Sequence, residues 1–167
     1  MGFMGAFAVI SDVHGNLEAL QAVLARIDEL KIGAIYSLGD VVGYGPDPEA
    51  CVLLTESRCC LRLMGNHEHA LLNPDEGMNF NASAREALDW TRQRISRAGL
   101  LGRLGEIEPF HQNRDILFAH GAVRNTLNEY LRESDRSGHS TFDELVESLE
   151  NDFIDFRICF VGHNHKP

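Results

Sequence analysis

Five short clusters along the chain carry side chains that could hold a cation: Asp12 with His14, Asp40, Asn66 with His67, His120, and His163 with His165. All five have an adjacent glycine, which lets the backbone turn sharply and come close to a bound ion or phosphate. Mixed carboxylate, amide and imidazole donors suit divalent metals, with manganese the first candidate and iron, zinc, nickel and cobalt also accepted. Two aspartates, one asparagine and several histidines are enough for two metal sites that share a carboxylate. Such pairs typically sit about 3.5–4 Å apart. Asp12-x-His14, read as extended chain, would send both side chains the same way, because side chains alternate along a strand.

Each cluster follows an apolar run, so the elements that must position the donors are strands: Phe7–Ile10, Ala34–Leu38, Arg58–Met64, Ile116–Ala119 and Phe156–Val161. Parallel strands present their carboxyl ends on one edge, where open α/β sheets keep their ligand crevice. Between them, Leu17, Leu20, Leu24 and Ile27 recur at helical steps after Asn16, a helix cap, and Ile32-Gly33 ends that helix. Asp47 as N-cap and Pro48 at the first helical position predict a short helix through about Leu54. Leu71 to Asn79 reads as loop, Ser83 to Ile95 as helix, and Leu100 to Leu104 as one more turn. A hairpin turns at Asn113-Arg114. Val123 to Gly138 reads as an irregular cover, and Thr141 caps a helix with Phe142, Leu145, Val146 and Leu149 on its stripe.

A chain of 167 residues suits a single domain, 1–167, able to bury a sizeable core. Its 25 acidic and 15 basic residues give a net charge of −10, which argues against a nucleic-acid groove or a membrane-surface binder. A small phosphorylated substrate remains compatible with that charge, because two divalent cations make their own positive field. The apolar runs are short of membrane-spanning length, and the start lacks the basic region and cleavage site of a signal peptide. Cys51, Cys59, Cys60 and Cys159 show no paired metal spacing and read as buried, reduced thiols of a cytoplasmic protein.

With these residues in view, the chain resembles the calcineurin-like metallophosphoesterase superfamily. The resemblance rests on Asp12-x-His14, Gly39-Asp40, Gly65-Asn66-His67-Glu68, His120-Gly121 and Gly162-His163-x-His165, spread over nearly the whole chain. It implies an α/β fold, a four-layer α/β/β/α sandwich with a dinuclear site at one edge. It also implies that Asp12, His14, Asp40 and His165 hold one metal, and that Asp40 bridges to a second held by Asn66, His120 and His163. The implied reaction is phosphoester hydrolysis by a hydroxide bridging the two ions, with His67 as general acid toward the leaving alkoxide. Phosphodiesters or nucleotides are the expected substrates.

Departures from the family refine this. Its Ser/Thr protein phosphatases carry Gly-Asp-x-x-Asp-Arg-Gly, whereas this chain reads Gly39-Asp40-Val41-Val42-Gly43-Tyr44-Gly45 and so lacks the second aspartate and the phosphate-gripping arginine. That string, continued by Pro46-Asp47-Pro48, resembles small prokaryotic phosphoesterases related to diadenosine tetraphosphatase. Family members continue past Gly-His-x-His with strands that complete the second sheet, so a shortened sandwich without them is expected here. The rival readings are a non-catalytic metal-binding scaffold of the same fold, a protein phosphatase and a nuclease. Among other residues, Tyr44 could line the pocket and Glu68 could orient the segment after His67. His69, His111 and His139 read as surface histidines, and Arg85, Arg92, Arg94 and Arg97 as a solvated helix face.

Overall fold

The computed structural model describes residues 5–132 and 156–165. Two three-stranded sheets lie at its centre. The first is all parallel in the order β1 (Phe7–Ile10), β2 (Ala34–Ser37), β3 (Leu61–Arg62). Helices α1 (Leu17–Glu29) and α2 (Pro48–Arg58) make the crossovers. Then come α3 (Asn66–Leu72), a 3₁₀ turn at Glu76–Asn79, α4 (Ala82–Arg97) and α5 (Leu101–Gly105). The second sheet is mixed: β4 (Phe110–Asn113) pairs antiparallel with β5 (Ile116–Ala119), and β5 pairs parallel with β6 (Ile158–Val161).

Alternation along the strands decides the layers. Ala8, Ile10 and Ile35 pack into the helical core with Leu20, Leu24, Val52, Leu88 and Ile95. Phe7, Val9, Tyr36 and Leu61 point the other way, onto Ile116, Phe118 and Phe160 of the second sheet. There Phe118 stacks on Phe160 at 5.5 Å, and Phe7 meets both edge-on at 6.1 and 5.7 Å. The described residues thus form three of the four expected layers, α/β/β. The helix expected after Thr141, and His139 with it, lie outside them.

Several boundaries differ from expectation. The third strand was expected from Arg58, but α2 runs on to that residue, and the strand keeps two ladder positions, Tyr36 opposite Leu61 and Ser37 opposite Arg62. The hairpin turns one residue later, at Arg114-Asp115. Where loop was expected from Leu71, α3 reaches Leu72 and a 3₁₀ turn follows. Arg92, on the face expected to be solvated, donates to the Leu71 and Ala70 carbonyls at the end of α3, while Arg94 pairs with Glu49. Of the four free cysteines Cys51 alone is buried; Cys60 and Cys159 are exposed. Asn16 does cap α1, accepting the Ala19 N–H at 3.0 Å.

Helices α1 and α4 both end in a left-handed residue whose successor bonds back five residues. In α4 the residue is Gly99, but in α1 it is Lys31, at φ 55°. A side chain there costs about 1–2 kcal/mol. Lys31→Gly is therefore expected to stabilise the protein by about 1 kcal/mol, raising Tm by about 2–4 °C. Thermal unfolding checks it.

Candidate metal centre

The turns beyond β1 and β2 run side by side. Asp12 donates its N–H to the Gly39 carbonyl at 3.1 Å, His14 to Asp40 at 2.8 Å and Gly15 to Val41 at 2.8 Å. The second sheet joins them: Gly162 N–H reaches the His120 carbonyl at 2.9 Å, and His163 N–H reaches Asp12 Oδ2 at 3.0 Å. Clusters from two different sheets therefore converge, although parallel strands of one edge were the expected cause.

The local geometry differs from the extended chain that alternation predicts. Asp12 and His14 are not extended. Their φ values are 56° and 49°, and Asp40, His163 and His165 are also left-handed, at 52°, 64° and 51°. Asp and His are among the residues that enter this region most readily, yet each still carries strain that the surrounding structure must offset. A run of such turns gathers donors more tightly than a strand does.

Two groups of ligand atoms result. In one, His165 Nε2 lies 3.3 Å from Asp12 Oδ1, and His14 Nε2 lies 3.1 Å from His165 Nε2. In the other, His120 Nε2 lies 3.4 Å from Asp40 Oδ2 and 3.0 Å from Asn66 Oδ1, and the His163 ring centre stands 5.0 Å from that of His120. Asp40 Oδ2 is also 3.7 Å from His14 Nε2, so the same oxygen faces both groups. Donors of Asp12, His14 and His165 fall within 4.8 Å of one another, as do those of Asp40, His120 and His163. A third such set, His14, Asp40 and His67, brings His67 within ligand reach as well.

These donors fit cations. His14 and His120 are each oriented by a backbone carbonyl, Nδ1 lying 3.1 Å from Val42 O and 2.9 Å from Leu38 O respectively. If that contact holds the single proton of a neutral ring, Nε2 turns a lone pair inward. For His120 the lone pair then meets two oxygens, a repulsion that a bound cation, or a second proton on the ring, relieves. Asp12 Oδ1 and His163 Nε2 are buried without a hydrogen-bond partner. Such orphans are costly unless an ion satisfies them.

The titration pattern agrees. Burial, against the pull of Asp40, lowers His14, and burial followed by His120 lowers His163, so both rings are neutral near pH 7 as ligands must be. For His120 burial opposes the charge, but the hydrogen bond and charge of Asp40 outweigh it and raise the pKa. Burial would raise Asp40, yet His120 and its neighbouring imidazoles hold the carboxyl down at about 2. His67 departs from expectation: burial, only partly offset by Asp40, lowers it to about 4, so its ring is neutral rather than an imidazolium in the free protein.

A cavity of about 650 Å³ opens over these groups. Its outer wall is partly unforeseen. Tyr130 stacks on His163 at 4.1 Å, Phe80 packs on His67 at 5.0 Å, and Tyr44 touches both His14 and His67 at 4.8 Å. Tyr44 carried a sequence signal, the Gly-Tyr-Gly loop; Phe80 and Tyr130 carried none. His69 and His111 do not line the cavity, as expected.

A family model described as calcineurin-like phosphoesterase matches residues 5–167. The chain belongs to the calcineurin-like phosphoesterase family. A family relative, an uncharacterized protein of Methanocaldococcus jannaschii, is 37% identical over 164 residues, which are 96% of this chain and 62% of that one. The crystal structure of a metallophosphoesterase from Sphaerobacter thermophilus superposes with a TM-score of 0.76 at 34% identity, covering 96% of this chain and 61% of that. A structure provisionally named a diadenosine tetraphosphatase shares the fold, with a TM-score of 0.55 at 21% identity over 77% of this chain and 53% of that. The chain thus spans about three fifths of the length of the Methanocaldococcus jannaschii and Sphaerobacter thermophilus proteins. Among the described residues β6 pairs on one side only, and Ile158 on it is 48% exposed. No helix of the described residues is long and apolar enough to cross a membrane.

Proposed function

We propose that this phosphoesterase-family chain hydrolyses phosphodiesters with two divalent ions, manganese first among the candidates. The observation that carries the reading is the Asp40 carboxylate, buried between two groups of inward-facing imidazoles. Asp12, His14, Asp40 and His165 would hold one ion, and Asp40, Asn66, His120 and His163 the other. Bound there, divalent ions lower the pKa of water and offset the charge of a phosphoryl group.

The chain's own residues supply the rest. Backbone carbonyls of Val42 and Leu38 aim the rings of His14 and His120. His67 stands on the cavity wall with Nδ1 enclosed, unpartnered, against Gly43. Its role is to hand a proton to the leaving oxygen, after a bound phosphate anion restores the basicity that burial removes. The wall also carries Glu76 and amides such as Asn79 and Asn81, with no lysine or arginine among the described lining residues. That favours a singly charged diester over a polyphosphate. We place the reaction in the cytoplasm, a setting in keeping with the free cysteines.

The test is a panel of an activated phosphodiester, a monoester and a dinucleoside polyphosphate, with manganese added and Asp40→Asn as control. Diester turnover above the control is expected. Its absence replaces the enzyme with a metal-binding scaffold of the same fold. His67→Ala separates acid from ligand. It is expected to lose about 10²–10⁴ in kcat on diesters with poor leaving groups while keeping wild-type manganese stoichiometry. Loss of one ion instead would make His67 a ligand.

A further inference from the structure

Glu68 is 1% exposed and accepts four backbone N–H groups. Its Oε2 takes those of Asp40 at 2.8 Å and Gly65 at 2.9 Å; its Oε1 takes those of Val41 at 2.8 Å and Val42 at 3.0 Å. Three consecutive N–H groups converging around a left-handed residue form a backbone anion nest. Here a carboxylate of the chain itself fills the nest. The strand-end turn of β2 cannot close its own hydrogen bonds with Asp40 at φ 52°; residue 68, on the first turn of α3, closes them for it.

The linkage runs both ways. Asp40 Oδ1 accepts the His67 N–H at 2.9 Å, so α3 and the β2 turn exchange carboxylates. Gly65 completes the contact, since a Cβ there would stand 2.1 Å from Asp40 Oδ1 and 2.4 Å from its nitrogen. Asn66, a donor of the second group, begins α3 between these anchors.

From this geometry we infer that Glu68 is a positioning residue of the metal centre, whose buried carboxylate locks the turns bearing Asp40 and Asn66 into the ion-binding arrangement before any ion arrives. The inference rests on the proposed metal site, but it concerns preorganisation and not the reaction. Glu68 touches neither ion nor substrate.

Glu68→Gln keeps the volume and turns an amide –NH₂ toward two of the four donors. Manganese titration calorimetry is expected to show about 10–100-fold weaker binding, the usual cost of losing an outer orienting partner. Substrate KM is expected to stay near wild type, and kcat to recover as manganese is raised. Glu68→Asp, which keeps the charge but falls one methylene short, is expected to lie between. Wild-type manganese affinity in a folded Glu68→Gln protein overturns the inference, whatever its melting temperature. Should neither variant fold, hydrogen exchange of the wild type decides. The amides of Asp40, Val41, Val42 and Gly65 are expected to open together and only with the whole fold. Independent, rapid exchange of residues 40–42 overturns the lock. If wild-type protein binds no manganese at all, it is the metal-site reading that fails, and calorimetry of the wild type shows this first.

Discussion

Asp40→Asn is expected to yield a folded protein that no longer assembles its metal centre. Asparagine tolerates a left-handed backbone, and its Oδ1 can keep accepting the His67 N–H, so the local structure has no reason to collapse. What changes is the atom now nearest His120 and His14, an N–H₂ in place of the oxygen that faces both groups. Losing an orienting partner costs about 10–100-fold in affinity, and losing a shared ligand should exceed that, about 100-fold or more. Removing the charge gives up the attraction by which His120 and its neighbours hold this carboxyl at about 2, so the metal-free variant should melt somewhat below the wild type while still folding. The wild type should gain about 2.7 kcal/mol of stability at a manganese concentration 100 times Kd, and the variant almost none. Thermal melts with and without manganese read both effects. Stoichiometric manganese uptake by Asp40→Asn would remove the shared carboxylate from the centre of the site.

Gly43→Ala is expected to disable the His67 side of the site without changing a ligand. Gly43 sits at φ 92°, where a side chain is strained, and a Cβ there would stand 2.2 Å from His67 Nδ1. The imidazole must swing away, because the turn is held on its other side by Val42 N–H on Glu68 and Val42 O on His14. Backbone strain alone costs about 1–3 kcal/mol. The displaced ring should cost about 10²–10⁴ in kcat toward diesters with poor leaving groups, the range for a lost proton donor. Activated diesters, which need little protonation, should suffer far less, and the manganese stoichiometry should hold. Equal losses on both substrate types would mean that the mutation reaches the ions rather than the acid.

Asp12, His14, Asp40, Asn66, His120, His163 and His165 could be named as candidate donors because each of their clusters follows a short apolar run and has an adjacent glycine. The arrangement was legible only in outline. Left-handed backbone at Asp12 and His14 has no periodic signature, and an alternation argument gave the correct neighbours for the wrong reason. Glu68 carried a faint sign, an acidic residue three positions beyond the strand-end Gly65. Its four partners, though, lie on a turn some 26–28 residues earlier and at Gly65. The start of α3 at Asn66 was hidden for the same reason: a seven-residue helix offers too few turns for a pattern, and its closure comes from Glu68 and Arg92.

By itself, then, the order of amino acids determined the α/β class and the family and named the candidate donors, because metal-ligand chemistry and hydrophobic period are properties of residues close together in the chain. Only the tertiary structure decided that the donors come from the ends of two sheets, that five of them stand on left-handed turns, and that Glu68, Gly43 and Gly65 hold these turns in place. Such contacts join segments some 25 to 150 residues apart. They depend on which backbone groups are left without partners once the sheets have formed, and no local stretch of sequence records that.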